Sequence, residues 1–283
     1  MDDEPFENGV WGNVYKAKLR KEDVVVKIIM TDGQRESEQI LSEASIAFGL
    51  RHENVIKLFG VTGLNSSKLG IVMEQAEHGS LEKWIGMIES AKITGIALGI
   101  ITGLEYVHSQ RVIHRDIKPK NILMFGPKDD MIPKISDFGV AKLIQTNVVA
   151  MTRVGNSLYM APEVEMFQSH SYWADVFSLA MTLFELFNEQ LVSQSTDEVK
   201  RFIRQARIGS VGDVPQSCRV PQQLHNVIRR GWEQNPEDRP ALAEYRSAVE
   251  GFKLFHMYLV LTVHVSHALR VQYIGSLLNW WSL

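Results

Sequence analysis

The centre of the chain contains Ile113-His114-Arg115-Asp116-Ile117-Lys118-Pro119-Lys120-Asn121, and Lys134-Ile135-Ser136-Asp137-Phe138-Gly139 follows it closely. Phosphoryl transfer needs a carboxylate that accepts the proton of the nucleophile, a cation that neutralises the transferring oxygens, and oxygen ligands for a metal ion. The two stretches supply all of these groups, in Asp116, Lys118, Asn121 and Asp137. Each acid alone would be interpreted as a solvated loop carboxylate or a helix cap, but the combination predicts a phosphoryl-transfer site.

Upstream of this centre, a glycine-containing segment and a lysine could complete such a site. Gly9 and Gly12 lie where a hairpin turn could bring backbone amides close to phosphate oxygens, because glycine has no Cβ and tolerates positive φ. Lys27 ends the apolar run Val24-Val25-Val26, where its ammonium could pair with anionic oxygens. Taken singly, an ordinary hairpin and a lysine reaching solvent from a strand edge are the simpler explanations.

The first quarter of the chain has the pattern of a sheet with one helix. Apolar runs at 24–26 and 69–73 are rich in β-branched residues and predict strands. A helix is predicted over roughly 36–50, because five apolar residues recur there at spacings that place them on one helical stripe. These residues are Ile40, Leu41, Ala44, Ala47 and Phe48.

After Gln75 the pattern becomes helical, with the clearest helices predicted at 93–108, 173–188 and 222–232. The expected fold class is therefore α+β, with a small β-rich region followed by a larger α-rich region. The expected domain ranges are 1–75, 76–250 and an apolar tail of uncertain role at 251–283.

Charge, cysteine content and the N-terminal sequence each limit the possible functions of the chain. With 30 basic against 33 acidic residues the formal charge is -3, so no global charge favours binding to nucleic acid. The single cysteine, Cys218, excludes an intrachain disulfide and a multi-cysteine metal site. The acidic N-terminus lacks the basic start and apolar run of a secretory signal, so we expect a cytoplasmic protein.

The apolar tail leaves membrane contact open. Its run at 254–269 is shorter than the roughly 20 residues that a spanning helix needs. A packing segment or a tail without independent structure is therefore favoured over a membrane anchor. The aromatic end, Trp280-Trp281, keeps interfacial contact with a membrane as the alternative.

Taken together, the two central stretches, the glycine segment and Lys27 resemble the eukaryotic protein kinase family, over a range from about Phe6 to about Glu250. The resemblance implies a bilobal kinase fold, in which a small β-rich N-lobe with one regulatory helix precedes a larger α-helical C-lobe. It also implies ATP and Mg²⁺ as cofactors, with Mn²⁺ as the alternative ion, and proteins as substrates.

The same resemblance assigns roles to the residues that act on the phosphates. Lys27 would hold the α- and β-phosphates and form an ion pair with Glu43 of the N-lobe helix. Asp116 would orient and deprotonate the substrate hydroxyl, and Lys118 would steady the γ-phosphate. These four residues are the expected catalytic set.

By resemblance, Asn121 and Asp137 would hold magnesium, a hard cation that prefers oxygen ligands. The rest of the nucleotide site would consist of the glycine segment, the gatekeeper Met73, the hinge that begins at Glu74, and the residues that sandwich adenine. The expected nucleotide-binding residues are Gly9, Gly12, Val14, Val25, Lys27, Met73, Glu74, Ala76 and Leu123.

Three further residues resemble structural landmarks of the family. Glu163, in Met160-Ala161-Pro162-Glu163, is expected to pair with Arg239. Asp175 is expected to be a buried acid that braces the loop carrying Asp116. These roles are structural and not catalytic.

Substrate class follows from the lysine two residues after Asp116, which resembles the serine/threonine pattern. Gly79-Ser80-Leu81 and Gly231-Trp232 are similar to the tyrosine-kinase-like group of serine/threonine kinases. Serine or threonine is therefore the expected acceptor, and dual specificity stays open.

Regulation is expected at Thr152, which lies three residues before Gly155, where the family often carries an activating phosphate. An upstream kinase would add this phosphate, and Arg115 could bind it bidentately. Thr146 and Ser157 are rival sites, and an unmodified loop threonine is the simpler explanation.

Some positions depart from the family pattern. Glu7 replaces the first loop glycine, Asn156 replaces a threonine of the activation segment, and Ala47 replaces a larger apolar side chain. We expect most of the first strand to be truncated, since little sequence precedes the glycines. These departures motivate an alternative function, a nucleotide-binding pseudokinase that acts as a scaffold or allosteric partner.

Overall fold

The computed structural model describes residues 7–9, 12–31, 34–63, 68–138, 142–143, 158–166, 171–208 and 214–255. The first part of the chain forms a five-stranded antiparallel sheet with the order β1-β2-β3-β5-β4. Its strands are β1 (Glu7–Gly9), β2 (Gly12–Leu19), β3 (Glu22–Met30), β4 (Leu58–Thr62) and β5 (Lys68–Glu74). The strands predicted at 24–26 and 69–73 are confirmed.

One helix, α1 (Gln34–Gly49), follows β3 close to its predicted position. Ala44 and Ala47 are buried, as the apolar stripe predicted. Phe48 was placed on the same stripe, and this part of the prediction is wrong because the side chain is 45% exposed. At the end of the helix the Arg51 guanidinium lies 5.3 Å from the centre of the Phe48 ring and covers it instead.

The second part of the chain is mainly helical, as predicted. Its helices are α2 (Ser90–Ser109), α3 (Pro162–Glu165), α4 (Tyr172–Asn188), α5 (Asp197–Arg207) and α6 (Gln222–Arg230). A seventh helix, α7, covers 242–255. Helices α2, α4 and α6 include most of the residues of the three predicted helices.

Helix α4 is the centre of the core. Its side chains are buried from Ala174 to Asn188 on every side of the helix, as expected of a helix enclosed by other elements. The ring of Phe184 lies 5.5 Å from that of Trp232 and 6.2 Å from that of Phe202. Two buried carboxylates, Asp175 and Glu185, also project from this helix.

Two short antiparallel strand pairs flank the loop that contains Asp116. Strand β6 (Val112–Ile113) pairs with β9 (Lys142–Leu143), and β7 (Ile122–Phe125) pairs with β8 (Ile132–Ile135). The loop 114–121 therefore runs between β6 and β7, and Asp137 follows directly after β8.

Helix α7 continues past the boundary that was expected between 250 and 251. Its Phe252 ring lies 6.1 Å from the ring of Phe187 in α4, so the residues just after this boundary still pack on the core. No helix in the described part of the chain is both long and apolar enough to cross a membrane. The tail from 256 onwards lies outside the described residues.

Candidate active site

Asp175 anchors the loop that carries Asp116. Its buried carboxylate accepts hydrogen bonds from the backbone N–H groups of His114 (2.8 Å) and Arg115 (2.7 Å) and pairs with His108 Nε2 (2.9 Å). Burial alone would raise the pKa of Asp175, but these hydrogen bonds and the two nearby histidines keep it below its usual value. The predicted brace is therefore confirmed, and it acts on the residues immediately before Asp116.

Two neighbours of the same loop surround the Asp116 carboxylate. Lys118 Nζ donates to both of its oxygens, at 2.8 and 2.7 Å. Asn121 Nδ2 donates to the backbone oxygen of Asp116 at 2.8 Å and to Oδ2 at 2.7 Å. The structure thus brings three of the predicted site residues together and fixes the direction of the carboxylate.

His114 connects this loop to the stretch that contains Asp137. Its Nε2 lies 2.9 Å from the carbonyl of Ser136, and the backbone N–H of Asp116 donates to its Nδ1 at 3.2 Å. In this arrangement Nδ1 accepts from the Asp116 N–H, and Nε2 can donate to the Ser136 carbonyl. The ring also meets Phe138 edge-on at 4.8 Å, so both sides of Asp137 are held against the loop.

Lys27 and Asp137 form an ion pair of 2.8 Å across the cleft between the sheet and the helical region. Burial would raise the pKa of the Asp137 carboxyl, but the Lys27 ammonium outweighs this effect and holds the pKa below its usual value. Asp137 is therefore an anion that can bind a metal ion.

The strand register places several predicted nucleotide-binding residues on the same face as Lys27. Val14 lies opposite Lys27, and Met73 lies opposite Val25. Directly opposed residues of an antiparallel pair share a face, as do residues two apart on one strand. Since Lys27 reaches Asp137 across the cleft, this face of the sheet forms the roof of the cleft.

The remaining nucleotide-binding candidates surround this face. Gly9 pairs with Gly12 across the β1–β2 hairpin, as predicted for the glycine segment. Leu123 lies on β7, and β5 ends at Glu74, where the predicted hinge begins. Ala76 and Leu123 are both half-buried, and their roles toward adenine stay predictions.

The predicted ion pair of Lys27 with Glu43 falls outside what the structure describes. Glu43 belongs to α1, but its side chain is not among the described ones, and Lys27 is paired with Asp137. The side chain of Glu7 also lies outside the described set. The same holds for the whole of residues Thr146, Thr152, Asn156 and Ser157.

The predicted pairing of Glu163 with Arg239 is confirmed. The guanidinium donates from Nη1 and Nη2 to the two carboxylate oxygens, at 2.7 Å each, and both side chains are buried. A bidentate pair of this kind fixes α3, which contains Glu163, to the segment that contains Arg239.

Sequence reasoning missed two backbone features of the site. Arg115 and Asp137 have positive φ values of 73° and 61°, a conformation that non-glycine residues rarely adopt. Strain of this kind concentrates at functional sites, where the surrounding contacts enforce it. Aspartate tolerates positive φ better than most residues, but no local sequence signal marks Arg115 for this conformation.

Sequence reasoning also missed two long-range polar contacts near the site. Lys134 on β8 pairs with Glu74, and the Tyr159 hydroxyl donates to Glu185 at 2.6 Å. The partners are far apart in the chain and belong to no common motif.

The donor set fits a divalent metal ion. Asn121 Nδ2 is committed to Asp116, so its Oδ1 is the atom that can face a cation. The backbone N–H of Ser136 donates to the carbonyl of Asn121 at 2.8 Å, which ties Asn121 to the residue before Asp137. Amide and carboxylate oxygens, completed by phosphate oxygens, are the ligands that Mg²⁺ prefers.

Comparisons with known proteins identify the family of the chain. The family model described as protein kinase domain matches residues 5–249. The chain is 30% identical over 250 residues to the serine/threonine-protein kinase STY17 of Arabidopsis thaliana, covering 83% of this chain and 41% of that protein. It is 34% identical over 201 residues to the PR5-like receptor kinase of the same plant, covering 66% and 30%.

A third relative is matched over more of both chains. The serine/threonine/tyrosine-protein kinase HT1 of Arabidopsis thaliana is 28% identical over 273 residues, which cover 92% of this chain and 68% of that protein. The chain spans less than half the length of the first two relatives.

Proposed function

Because the chain belongs to the eukaryotic protein kinase family and resembles its tyrosine-kinase-like group, we propose that it transfers the γ-phosphate of ATP to serine or threonine hydroxyls of proteins. The observation that carries the proposal is the convergence of Lys118 and Asn121 on the Asp116 carboxylate, together with the Lys27–Asp137 ion pair. These groups have the chemistry that phosphoryl transfer requires.

In the proposed reaction, the substrate hydroxyl oxygen bonds to the γ-phosphorus, the bond from that phosphorus to the β–γ bridging oxygen breaks, and ADP leaves. Asp116 accepts the hydroxyl proton. Lys118, which binds both oxygens of this carboxylate, turns towards the γ-phosphate and neutralises charge there. Removing the lysine from one oxygen frees that oxygen for the proton.

Lys27 takes the α- and β-phosphates in this proposal, since its ammonium already faces the cleft. Asn121 and Asp137 would hold the divalent ion, and the ion would supply neutralisation of the phosphate oxygens. We propose Mg²⁺ as the physiological ion by resemblance to the family, with Mn²⁺ as the alternative, since the same oxygen ligands suit both ions. Parallel assays with Mg²⁺ and Mn²⁺ test this choice, and activity with Mn²⁺ alone contradicts it.

The experiment that tests the function is transfer of labelled γ-phosphate to a generic protein substrate by the full chain. We expect Asp116→Asn to reduce the rate by roughly a hundredfold to ten-thousandfold, because the proton acceptor is lost. Lys18→Met is the control, since the Lys18–Asp23 pair is exposed and lies at the turn end of the β2–β3 hairpin, away from the pairing of Lys27 with Val14. Equal rates for Asp116→Asn and the unchanged chain contradict the proposal.

Acceptor specificity is tested with peptides that differ only in carrying serine, threonine or tyrosine. The lysine at position 118 supports serine and threonine by family resemblance, and the printed name of HT1 includes tyrosine for that protein. We expect serine and threonine peptides to be phosphorylated faster. Equal rates on the tyrosine peptide would establish dual specificity.

Phosphorylation of Thr152 by an upstream kinase is the corresponding proposal for regulation, with Arg115 as the phosphate-binding residue. Activation by a partner kinase and its loss in Thr152→Ala test it. Full activation of Thr152→Ala contradicts it.

A further inference from the structure

A partly buried ion pair joins the start of the hinge to the strand that leads to Asp137. Lys134 Nζ donates to both carboxylate oxygens of Glu74, at 2.9 and 2.8 Å. The two side chains are only 18% and 19% exposed. The ammonium also lies 4.4 Å from the centre of the Phe125 ring, so its position is fixed on more than one side.

The same carboxylate is tied to a third segment. The backbone N–H of Lys57 donates to Glu74 Oε1 at 2.8 Å, and the backbone N–H of Glu74 donates to the carbonyl of Lys57 at 3.1 Å. Glu74, the first residue of the predicted hinge, is thus held at both its backbone and its side chain.

Backbone hydrogen bonds also join these parts of the molecule: after the hinge, the His78 N–H donates to the Met124 carbonyl at 3.2 Å, and the Met124 N–H donates to the Gly79 carbonyl at 2.8 Å. The backbone N–H of Ile56 donates to the carbonyl of Ile135, and the N–H of Ile135 donates to the carbonyl of Asn54, at 2.9 Å each. Segment 54–57, the hinge and β8 therefore form one bonded unit. Strand β8 ends at Ile135, two residues before Asp137.

We propose that Lys134 is a positioning residue for the nucleotide, because its ion pair with Glu74 fixes the hinge backbone relative to β8 and hence relative to Asp137. This inference rests on the proposed function, which places adenine at the hinge and the metal-bound phosphates at Asp137. The ammonium does not touch the nucleotide. It sets the separation of the two ends of the nucleotide site.

Loss of the lysine leaves Glu74 as a partly buried anion with fewer donors, which favours movement of the hinge towards water. ATP binding then has to restore the hinge position, so the affinity of the protein for ATP falls. The chemical step depends on Asp116 and Lys118, which have separate partners in the loop 114–121. The expected signature is therefore a loss of ATP affinity with little change in kcat.

The test compares Lys134→Met, Lys134→Arg, Glu74→Gln and the Lys134→Met/Glu74→Gln double variant in the full chain. Binding of a non-hydrolysable ATP analogue, KM for ATP, kcat and Tm are measured for each. We expect Lys134→Met to weaken analogue binding and raise KM by roughly tenfold, with kcat within roughly twofold. Lys134→Arg keeps the charge and should recover most of the affinity.

The double variant should bind the analogue as tightly as the single variant that binds it less well. Both substitutions remove the same Lys134–Glu74 interaction, so their effects do not add. Lys18→Met, which removes an exposed ion pair of the same sheet, should bind as the unchanged chain does. A purely structural role predicts a lower Tm for Lys134→Met with unchanged analogue affinity, and that result overturns the inference.

The two proposals fail in different ways. Equal analogue affinity in Lys134→Met and the unchanged chain overturns the positioning role while phosphate transfer stands. Tight analogue binding without transfer to any protein overturns the proposed transfer, and weaker binding by Lys134→Met would still support the positioning role.

Discussion

The loop that carries Asp116 and the sheet face that carries Lys27 are positioned by different kinds of interaction. The loop is held by buried side-chain acceptors, above all Asp175, which binds two successive backbone N–H groups. The sheet face is positioned by backbone register, in which Lys27 pairs with Val14 on one side and Ile71 on the other.

This difference predicts how each region responds to substitution. A loop held by a few buried polar contacts loses its shape when one of them is removed, because the remaining donors are left unpaired. A strand keeps its position when an exposed side chain changes, because the ladder of backbone hydrogen bonds is unaffected. Effects should therefore be largest around α4 and smallest at the exposed edge of the sheet.

The largest effect is expected for Asp175→Ala. The change leaves the N–H groups of His114 and Arg115 without this acceptor, and it removes the charge next to His108. We expect a loss of about 3–5 kcal/mol in the free energy of unfolding. The rate of phosphate transfer should fall by roughly a hundredfold, because Asp116 is displaced.

Chemical denaturation and transfer assays measure these two quantities for Asp175→Ala. Asp175→Asn is the matched variant, since its amide oxygen can still accept one hydrogen bond. It should lose less unfolding free energy and less transfer activity than Asp175→Ala. A fully active and equally stable Asp175→Ala would show that the loop does not depend on α4.

The second prediction concerns Glu185, which lies on the same helix as Asp175 but has the opposite pKa shift. Burial raises the pKa of Glu185 to about 7, although hydrogen bonds from Tyr159 and from the Val192 N–H oppose the rise, and Glu82 adds to it. The folded protein thus binds this proton more tightly than the unfolded chain, whose carboxyl titrates near 4.5. Stability should therefore fall as pH rises from about 4.5 to about 7.

The size of this fall is on the order of 3 kcal/mol for a shift of this extent. Glu185→Gln cannot titrate at this position. The unfolding free energy of the unchanged chain minus that of this variant should therefore decrease as pH rises across that range. Tyr159→Phe removes a donor to the carboxylate and should move the fall to higher pH. A difference that is constant with pH would contradict the raised pKa.

The third prediction tests the junction between the two regions, where α2 meets the segment after α1. A Cβ added at Gly99 would lie 2.7 Å from Pro133 Cγ and 2.8 Å from Asn54 Nδ2, and that amide donates to the Pro133 carbonyl at 2.9 Å. Gly99→Ala should therefore destabilise the protein by about 1–3 kcal/mol through overpacking.

Gly95 provides the control for this prediction, because it lies one turn earlier in α2 and a Cβ there meets nothing within 4 Å. Gly95→Ala should stabilise the helix by up to about 1 kcal/mol, as expected from helix propensity. Thermal unfolding of both variants decides the matter. If Gly99→Ala were as stable as Gly95→Ala, the close junction would not exist.

The same contrast explains which parts of the fold and site could be predicted from the sequence. The Asp116 and Asp137 stretches could be found because each combines several chemical groups at short spacing. The order of strands and helices followed from hydrophobic periodicity, which local sequence carries directly. The exposure of Phe48 could not be predicted, because it depends on where α1 ends and on the neighbouring Arg51.

Contacts between distant residues could not be predicted either. Glu74 ends β5 and Lys134 lies within β8. No local sequence pattern marks the two residues as partners. Tyr159 and Glu185 are similar, since their pairing depends on how the activation segment lies on α4. Such pairs appear only when the packing of whole elements is known.

The smallest effect is expected for Lys18→Met, at the exposed end of the hairpin formed by β2 and β3. Lys18 lies 2.7 Å from Asp23, the same distance that separates Lys118 from Asp116. The two pairs differ in exposure, because the side chains are 72% and 65% exposed in the first pair and 16% and 23% in the second. Water and salt screen an exposed pair, so Lys18→Met should change the unfolding free energy by less than about 1 kcal/mol.

Unfolding of the unchanged chain and of Lys18→Met at low and high salt measures this small difference, which should shrink further as salt increases. The backbone pairing of Lys18 with Asp23 is independent of either side chain, so the register that places Lys27 over the cleft should survive. If Lys18→Met lost as much unfolding free energy as Asp175→Ala, the sheet would depend on side-chain ion pairs as strongly as the loop depends on its buried contacts.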